Sequence, residues 1–546
     1  MESPPKEGKA WALATALALP ALLFPIYNPD LFWHLSAGRW MLERRALPRT
    51  DFLSFTAAGA GWLDFEWLAE LIFQGIYGWG GMAGLWLLKI ALLLAGWLVL
   101  NDLLKLYGIA PLHRAAGFAL WSCGALPYSD LRPELFSVVF FAILLRMLEG
   151  FRLGGRHFGP RVMAGFFLLF AVWTNLHAGF AFGLALFAIY AAAELALGRW
   201  RAAARLAAGA AAGVLGSFCQ PYGLGPYRVG IGHWLLRAAL SRHIQEWQPF
   251  GLGNPLHWPL WLMLAGCAGL ILYRAVAAAG GWKERLPWAP ALAAAYFGLG
   301  MLAHGRLSAY FNATAVPLVL LLCRDSGWLG EKGRPFLRAA VLAYALYLCW
   351  LVPRVSWAGT FNYRHVPRPA AEFMDRERSA LEGLRLYNVW EWGGYLGWRL
   401  HPWYRVYGDG RYIFHEELVE TAEASADAAK WRDFMARREL DGALLPNLDA
   451  RLPSRRRYPD GTERPFSRPW YAFYMPSDRW ALVYWDAQAL LFVDRRKAPA
   501  PWLARHEYRY LKPKDDAAFA DALKRREIPA AKLAGEKARH ARELGF

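Results

Sequence analysis

Long apolar stretches separated by short polar segments make up the first two thirds of the chain. A helix that crosses a bilayer needs about 20 mostly apolar residues, and each of these stretches approaches that length. They recur as far as Pro353, and none of comparable length follows. The pattern predicts an α-helical polytopic membrane bundle of about eleven spans over residues 1–353, and a separate domain over 354–546.

The first apolar stretch runs from about Ala10 to Tyr27 and follows Lys6 and Lys9, which resembles the start of a signal peptide. The residues after it are Asn28, Pro29 and Asp30, with no small-residue cleavage site. We therefore expect an uncleaved first helix.

The basic residues predict which side of the membrane each loop occupies. One choice of spans places every short loop rich in Lys and Arg on the same side, and such loops are retained in the cytoplasm. That choice requires residues 67–81 to be a helix at the outer interface, followed by a span that begins at Met82. It puts the N-terminus in the cytoplasm. The loop 27–81 and the domain 354–546 are then outside the membrane.

The C-terminal domain has a different pattern. Short apolar strands alternate with helical stretches such as 416–438, which predicts an extracytoplasmic α/β domain. Gly393-Gly394 and the segment Gly408-Asp409-Gly410 are expected at strand ends, where loops commonly carry binding groups.

Composition supports a membrane protein and argues against two other classes. The chain is 56% hydrophobic with 29 Trp, which is too apolar for a soluble enzyme of this length. Its formal net charge of +18 is explained by cytoplasmic loops, so no nucleic-acid partner is expected. The five cysteines lack the spacing of a zinc site, and they are interpreted as packing residues in apolar stretches.

With this topology, acids, amides and histidines collect in the outer turns. Ionisable groups near a bilayer are costly unless they face water, a partner or a substrate, so their convergence favours a polar cavity at the outer end of the bundle. The alternative is that each is a solvated loop residue. The candidate site residues are Asp30, His34, Asp64, Glu66, Arg132, His177, Glu246, His304 and Arg306.

Three of these positions have specific alternatives. His34 follows Asp30 by one helical turn, a spacing that suits a divalent metal, a carboxylate that orients an imidazole, or a plain helix-surface pair. No metal site is indicated and no cofactor is predicted. Arg132 and Arg306 are candidates for holding phosphate, or else they reach toward lipid phosphate as membrane-flanking arginines do. Asp51 is placed to cap the turn that follows it, and the alternative is a chemical role.

Three segments of the first outer loop carry a resemblance to a known family: DLFWHLSAGRW at 30–40, LPRTDFLS at 47–54 and WLDFEWL at 62–68. They resemble bacterial GT-C-type membrane glycosyltransferases, relatives of the protein O-mannosyltransferases and of the lipid A aminoarabinose transferases. The resemblance implies a sugar donor on polyprenyl phosphate and an acceptor lipid, glycan or protein that docks from outside. It also implies a catalytic base in the first outer loop, which by position is Asp30.

The sequence departs from that family at one point. Many members carry two adjacent acids after the first helix, whereas Asp30 follows Asn28 and Pro29. Whether Glu66 or Asp64 supplies a second carboxylate is left open.

The expected reaction is an inverting single displacement, in which a carboxylate takes the acceptor's proton and Arg132 or Arg306 offsets the charge of the leaving phosphate. One alternative is a polymerase or ligase that moves an oligosaccharide from a polyprenyl diphosphate. The other is a non-enzymatic transporter, for which the sequence shows no internal repeat.

Overall fold

The computed structural model describes residues 4–544, apart from 155–157, 245–246, 278–280, 356, 358 and 459–460. The chain divides into two compact units that are not contiguous in sequence. The first unit comprises Met1–Asn28, Ala37–Leu47 and Leu63–Asn362, and the second comprises Pro29–Ser36, Pro48–Trp62 and Tyr363–Phe546. Two segments of the predicted first outer loop thus belong to the same unit as the C-terminal part. The predicted division between membrane and periplasm at residue 353 stays a prediction.

Helices α1 to α14 form the first unit, except that the first residues of α2 belong to the second unit. Their bounds in chain order are Pro4–Leu23, Leu31–Arg44, Trp67–Leu106, Pro111–Ala125, Glu134–Gly154, Pro160–Leu176, Phe180–Ala196, Trp200–Ser217, Gly225–Leu240, Trp258–Ala277, Trp282–Arg285, Trp288–Ala303, Ser308–Asp325 and Arg334–Leu351.

Each stretch predicted to span the membrane contains one of these helices. Four helical segments of the described chain are long and apolar enough to cross a bilayer by length and composition: Trp67–Leu106, Pro255–Ala277, Gly305–Asp325 and Glu331–Arg354. Three shorter apolar helices are α6, α7 and α12. The count of about eleven spans therefore stays a prediction.

Helix α3 is broken at Gly81, where the sequence predicted that a helix at the outer interface ends and a membrane span begins. Gly81 has φ 57° and ψ −149°, which lies outside the helical region. Residues with a Cβ rarely adopt a positive φ of this kind, so glycine permits the break. The predicted separation of residues 67–81 from the following helix is confirmed.

Small residues let the helices of the first unit approach closely. A Cβ at Gly216 of α8 would overlap the carbonyl oxygen of Phe167 in α6, and one at Gly183 would lie 2.7 Å from the Trp173 ring. Large apolar side chains such as Leu168 and Leu262 remain exposed on the outside of these helices. Close backbone packing inside and leucine outside are typical of helices in lipid.

A buried polar network joins three helices around Glu149 of α5, whose side chain is fully buried. Its carboxylate accepts hydrogen bonds from Tyr107 at the end of α3 (2.8 Å) and from Tyr190 of α7 (2.8 Å). It also forms an ion pair with Arg152 at 2.6 Å. A buried carboxylate is tolerated when its oxygens are satisfied in this way.

The second unit adds helices α15 to α23 and strands β1 to β6. The helices are Arg368–Arg376, Arg378–Leu381, Trp390–Leu400, His415–Ala424, Ala428–Arg437, Tyr471–Tyr474, Ala500–His506, Asp516–Lys524 and Ala530–Glu543. The strands are Leu386–Asn388, Gly442–Pro446, Arg451–Arg457, Glu463–Pro469, Trp480–Trp485 and Ala489–Asp494.

Four of the strands form a mixed sheet in the order β1-β2-β6-β5. Strand β1 is parallel to β2, with Leu386 opposite Gly442, and the other pairs are antiparallel. Strands β3 and β4 form a separate antiparallel pair. Trp431, Phe434 and Trp480 belong to the core that packs against the sheet. The predicted combination of helices and a sheet after the membrane bundle is confirmed.

One local prediction in this unit is confirmed and one is wrong. The stretch 416–438 is helical, as two helices, because Asp427 caps α19 by accepting hydrogen bonds from the backbone N–H groups of Ala429 (2.7 Å) and Lys430 (3.1 Å). Gly393 and Gly394 lie inside α17 and not at a strand end. They are small because the helix passes close to other backbone: a Cβ at Gly393 would overlap the carbonyl oxygen of Gly408.

Candidate functional site

Asp30 lies in the second unit, in the turn that starts α2. Its carbonyl oxygen accepts hydrogen bonds from the backbone N–H groups of Trp33 (3.1 Å) and His34 (3.3 Å), so the aspartate is held at the first turn of the helix. Its carboxylate lies against the backbone of Gly410: a Cβ at position 410 would overlap Asp30 Oδ1. Only glycine leaves room for this carboxylate.

The loop that contains Gly410 is held by a buried ion cluster. Arg411 Nη2 lies 2.6 Å from Asp51 Oδ1 and 2.8 Å from Asp409 Oδ2, and all three side chains are 0% exposed. Burial alone would lower the pKa of Arg411, but Asp409 and Asp51 outweigh it and raise the pKa, so the guanidinium stays charged. The cluster ties a segment of the predicted first loop to the loop 408–411.

Aromatic and amide groups complete the support of this loop. The Arg411 guanidinium lies over the rings of Trp62 (4.6 Å) and Phe414 (5.2 Å). Asn388, at the end of β1, donates to the carbonyl oxygen of Gly408 at 2.8 Å and accepts from the backbone N–H of Tyr407 at 2.8 Å. We call Asp30, Asp51, Asp409, Gly410 and Arg411 the Asp30 site.

The expected capping role of Asp51 is confirmed. Asp51 Oδ2 accepts from the backbone N–H of Ser54 at 3.0 Å and from its hydroxyl at 2.6 Å. The same carboxylate also pairs with Arg411, a partner 360 residues away that the sequence did not indicate.

His34 lies on α2 and is 4% exposed. Its ring packs against the neighbouring Trp33, with centroids 3.6 Å apart. Within the part of the chain that the structure describes, no group of three or more His, Cys, Asp or Glu side chains is placed to hold a metal ion.

The other candidates lie in the first unit, where His177 is the centre of a second group. His177 follows α6 and is 9% exposed. Its Nδ1 accepts from the backbone N–H of Gly179 at 3.0 Å and lies 2.8 Å from Ser137 Oγ. Because a backbone N–H can only donate, Nδ1 is an acceptor and the neutral ring carries its proton on Nε2. That nitrogen lies 3.6 Å from Glu66 Oε1.

Glu66 and His177 are brought together by the helix ends that carry them. Glu66 is the residue before α3, where a negative charge is favourable to the helix dipole. The next residue, Trp67, donates to Asn175 Oδ1 at 2.8 Å, and Asn175 in turn donates to the carbonyl oxygen of Cys219 at 2.8 Å. These bonds connect the starts or ends of three helices.

Two arginines act on His177. Burial, together with the positive charges of Arg306 and Arg132, lowers its pKa to about 3. The imidazole is therefore neutral at physiological pH, and the positive charge of the group resides on the arginines. We call Glu66, Arg132, Ser137, His177 and Arg306 the His177 cluster.

His304 and Arg306 lie together in the turn between α12 and α13. His304 Nδ1 is 3.3 Å from the carbonyl oxygen of Trp247, which requires a proton on that nitrogen. The Arg306 guanidinium lies 5.8 Å from the centroid of the Trp247 ring.

Asp64 belongs to the first unit and is 2% exposed. Glu246 lies outside the described residues.

Sequence reasoning missed Lys89. This residue lies in the second part of α3, is 0% exposed, and donates to the carbonyl oxygen of Phe24. Asp130, in the turn before α5, accepts from the backbone N–H groups of Tyr27 (3.3 Å) and Leu131 (2.8 Å). Burial raises the pKa of Asp130 to about 6, while Arg132 and Lys89 oppose that rise. A lysine within an apolar span was the available signal, since such residues are commonly functional.

No protein-family model matches the sequence, and no curated protein matches it. Solved structures do resemble the fold. The archaeal oligosaccharyltransferase AglB from Archaeoglobus fulgidus, solved with an inhibitory peptide and a dolichol-phosphate, has a TM-score of 0.51 at 11% identity, over 85% of this chain and 74% of AglB.

ArnT from Cupriavidus metallidurans, bound to undecaprenyl phosphate, has a TM-score of 0.35 at 14% identity, over 89% of this chain and 98% of ArnT. Its apo structure gives the same TM-score at 13% identity. The likeness to AglB carries the fold comparison, and the resemblance to GT-C-type membrane glycosyltransferases that the first loop indicated is confirmed at the level of the fold.

Proposed function

We propose that this chain is a GT-C-type glycosyltransferase that moves a sugar from a polyprenyl-phosphate carrier to an acceptor lipid, glycan or protein at the outer face of a bacterial inner membrane. The proposal extends from fold to activity by analogy with AglB, which was solved in complex with a dolichol-phosphate.

The proposed topology follows the basic loops. About eleven helices span the membrane, the N-terminus is cytoplasmic, and the loop 27–81 and the region 354–546 are periplasmic. Exposed leucines on the helices of the first unit support the membrane placement.

The observation that carries the proposal is the His177 cluster. The charges of Arg306 and Arg132 both act on the buried His177, and Arg306 lies in the turn between α12 and α13, beside the Trp247 ring. A guanidinium pairs with phosphate oxygens through two parallel N–H groups. We assign Arg132 and Arg306 to the phosphate of the lipid carrier. His177, His304 and Glu246 are proposed to contact the substrate beside them.

The catalytic base is proposed to be Asp30. As the acceptor's oxygen or nitrogen bonds to the anomeric carbon, the bond from that carbon to the phosphate oxygen breaks and its electron pair leaves with the phosphate. The acceptor's proton passes to a carboxylate. One displacement of this kind inverts the anomeric centre and needs no protein nucleophile. His34 is proposed to assist substrate binding, and Glu66 and Asp64 are the candidates for a second carboxylate.

Transfer from defined donors tests the activity. Purified protein in lipid is given radiolabelled sugars on polyprenyl monophosphate together with a membrane extract as the acceptor source. We expect label in the extract that depends on the protein, and Arg132→Gln and Arg306→Gln should each raise the apparent KM for the donor. An exposed arginine, Arg399, gives the matched control Arg399→Gln. Absence of transfer from every monophosphate donor would contradict the proposal.

The likeness to an oligosaccharyltransferase gives a second candidate function, namely transfer of an oligosaccharide from a polyprenyl diphosphate. The same transfer assay distinguishes the two candidate functions by their donors. A diphosphate-linked oligosaccharide should be a poor donor under our proposal, whereas a preference for it would favour the polymerase or ligase.

A further inference from the structure

A small recess in the second unit, distant in sequence from the Asp30 loop, has a basic lining. Its polar lining includes Arg468 of β4, Ser477, Arg495, Glu507 and Lys512. Its floor is formed by core residues such as Tyr471, Trp480 and Tyr508. Apolar walls around convergent polar groups are the usual form of a binding site.

The two arginines of the recess are already paired with buried acids. Arg468 Nη2 lies 2.6 Å from Asp515, which is 5% exposed, and Arg495 pairs with Glu507, which is 4% exposed. Both arginine side chains remain partly exposed, at 31% and 27%. Each arginine has five N–H groups, so each keeps donors beyond those that its carboxylate uses. The acids fix the arginines in place without covering them.

Lys512 differs from these arginines. Among the residues that the structure describes, no carboxylate lies within ion-pair distance of its ammonium, and no hydrogen bond from it is found. Burial and the charges of Arg468 and Arg495 lower the pKa of Lys512, and the charges of Asp515 and Glu507 only partly oppose this. A partly buried ammonium that forms no ion pair is energetically unfavourable, and a bound anion would reduce that cost.

The backbone around Lys512 is firmly held. The backbone N–H of Leu511 donates to Glu536 Oε2 at 2.7 Å, and the carbonyl oxygen of Pro513 accepts from the Tyr471 hydroxyl at 2.5 Å. These two bonds flank Lys512 and hold its backbone at the recess, so little backbone entropy is lost when a ligand binds.

We propose that this recess binds an oxyanion, a phosphate or carboxylate group, with Lys512 as its direct cation and with Arg468 and Arg495 as flanking donors. Two sources carry this chemistry: a soluble or glycan-borne anion, and the phosphate of an anionic lipid. The site is independent of the transfer reaction proposed above, because no residue of the Asp30 site or the His177 cluster contributes to it.

Hydrogen–deuterium exchange of the full-length protein in nanodiscs tests the site locally. The probes are inorganic phosphate and glucuronate at constant ionic strength, with glucose as the neutral control, and nanodiscs of phosphatidylglycerol compared with phosphatidylcholine. We expect exchange in peptides covering 508–515 to slow by about tenfold when the probe reaches ten times its dissociation constant. Protection by free anions indicates the soluble or glycan source, and protection by phosphatidylglycerol alone indicates the lipid.

Variants of Lys512 test whether this residue is responsible for the protection from exchange. Lys512→Gln and Lys512→Met should both abolish the protection, Lys512→Arg should keep it, and the exposed-lysine control Lys524→Gln should behave as wild type. Exchange of the core peptides without ligand reports whether each variant is folded. No protection by any anion, or equal protection in wild type and in folded Lys512→Gln and Lys512→Met, would overturn the proposal.

Discussion

The strictest requirement at the residue scale is at position 410. Gly410 leaves the space that the Asp30 carboxylate occupies, whereas Gly408, in the same loop, has its nearest neighbour, Phe414, 3.4 Å from an added Cβ. The two glycines therefore differ in what an added methyl group would meet, although both lie beside the same buried cluster.

This difference gives a matched pair of variants. Gly410→Ala should displace the Asp30 carboxylate and lower the transfer rate by at least about tenfold, because a misplacement of about 1 Å already costs that much or more. Gly408→Ala should transfer at close to the wild-type rate. The measurement is single-turnover transfer from the bound lipid donor. Equal transfer rates for the two variants would show that Asp30 does not need a glycine at position 410 for its function.

His177 gives a pH-dependent prediction. Its folded-state pKa, about 3, is below the unfolded value, so the neutral ring contributes stability that is present above about pH 6.5 and lost as the pH falls toward 3. Between pH 6.5 and 5 the loss is about 2 kcal/mol. We expect wild type to lose that much more unfolding free energy than His177→Gln over this range, measured by reversible unfolding in detergent. Parallel pH profiles for the two proteins would show that the histidine becomes protonated in the folded state.

Some of these residue contacts were accessible from sequence and others were not. The cap by Asp51 follows from neighbours three residues apart, and local spacing predicts it. The bond from Asp51 to Arg411 joins residues 360 apart, so no local pattern indicates it. Lys89 is visible in the sequence as a charge in an apolar span, but its partner, the carbonyl oxygen of Phe24, lies 65 residues away and no local pattern indicates it.

At the element scale, the buried ion cluster holds together segments that have little regular structure of their own. Residues 48–62 contain no named helix or strand, and their bonds to Arg411 and to the loop 404–408 replace that missing regular structure. The break of α3 at Gly81 coincides with a boundary that the charges of the loops required. The lengths of α4 and α6 were less predictable, since hydropathy does not mark where proline starts a helix.

Replacement of Arg411, the cation of the buried ion cluster, tests whether the cluster holds these segments together. Arg411→Met leaves Asp51 and Asp409 as buried carboxylates without a counter-charge, which should cost about 3–5 kcal/mol of unfolding free energy. Arg385→Met removes an exposed arginine that pairs with Glu439, where the expected cost is about 0–1 kcal/mol. Thermal unfolding of the two variants measures the difference. Similar midpoints would mean that the cluster does not hold the second unit together.

In the whole molecule, the two compact units are not consecutive parts of the sequence. The sequence predicted a membrane part followed by an outer domain, whereas segments near the N-terminus fold into the same compact unit as residues 363–546. Local sequence pattern cannot reveal this, because the ion pair that ties residues 48–62 to that unit, between Asp51 and Arg411, joins positions 360 apart. The resemblance to the family indicated the fold that the comparison with AglB supports.

Reporter fusions test the proposed topology. Alkaline phosphatase fused after residue 546 should be active and green fluorescent protein at the same site should be dark, because the C-terminus is proposed to be periplasmic. Fusions truncated in the loop after Arg199 should give the opposite result. A fluorescent C-terminal fusion would place an even number of spans in the chain and would require residues 67–81 or another helix to be reassigned.

The central claim is that Asp30 accepts the acceptor's proton during transfer from a lipid phosphate. The most direct measurement is single-turnover transfer by Asp30→Asn, compared with wild type and with the exposed-residue control Asp449→Asn, in protein shown to be folded and to bind the donor. If Asp30 is the base, Asp30→Asn alone should transfer about 10²- to 10⁴-fold more slowly than wild type. Transfer by Asp30→Asn at the wild-type rate would show that Asp30 is not the base and would leave Glu66 or Asp64 as the candidates.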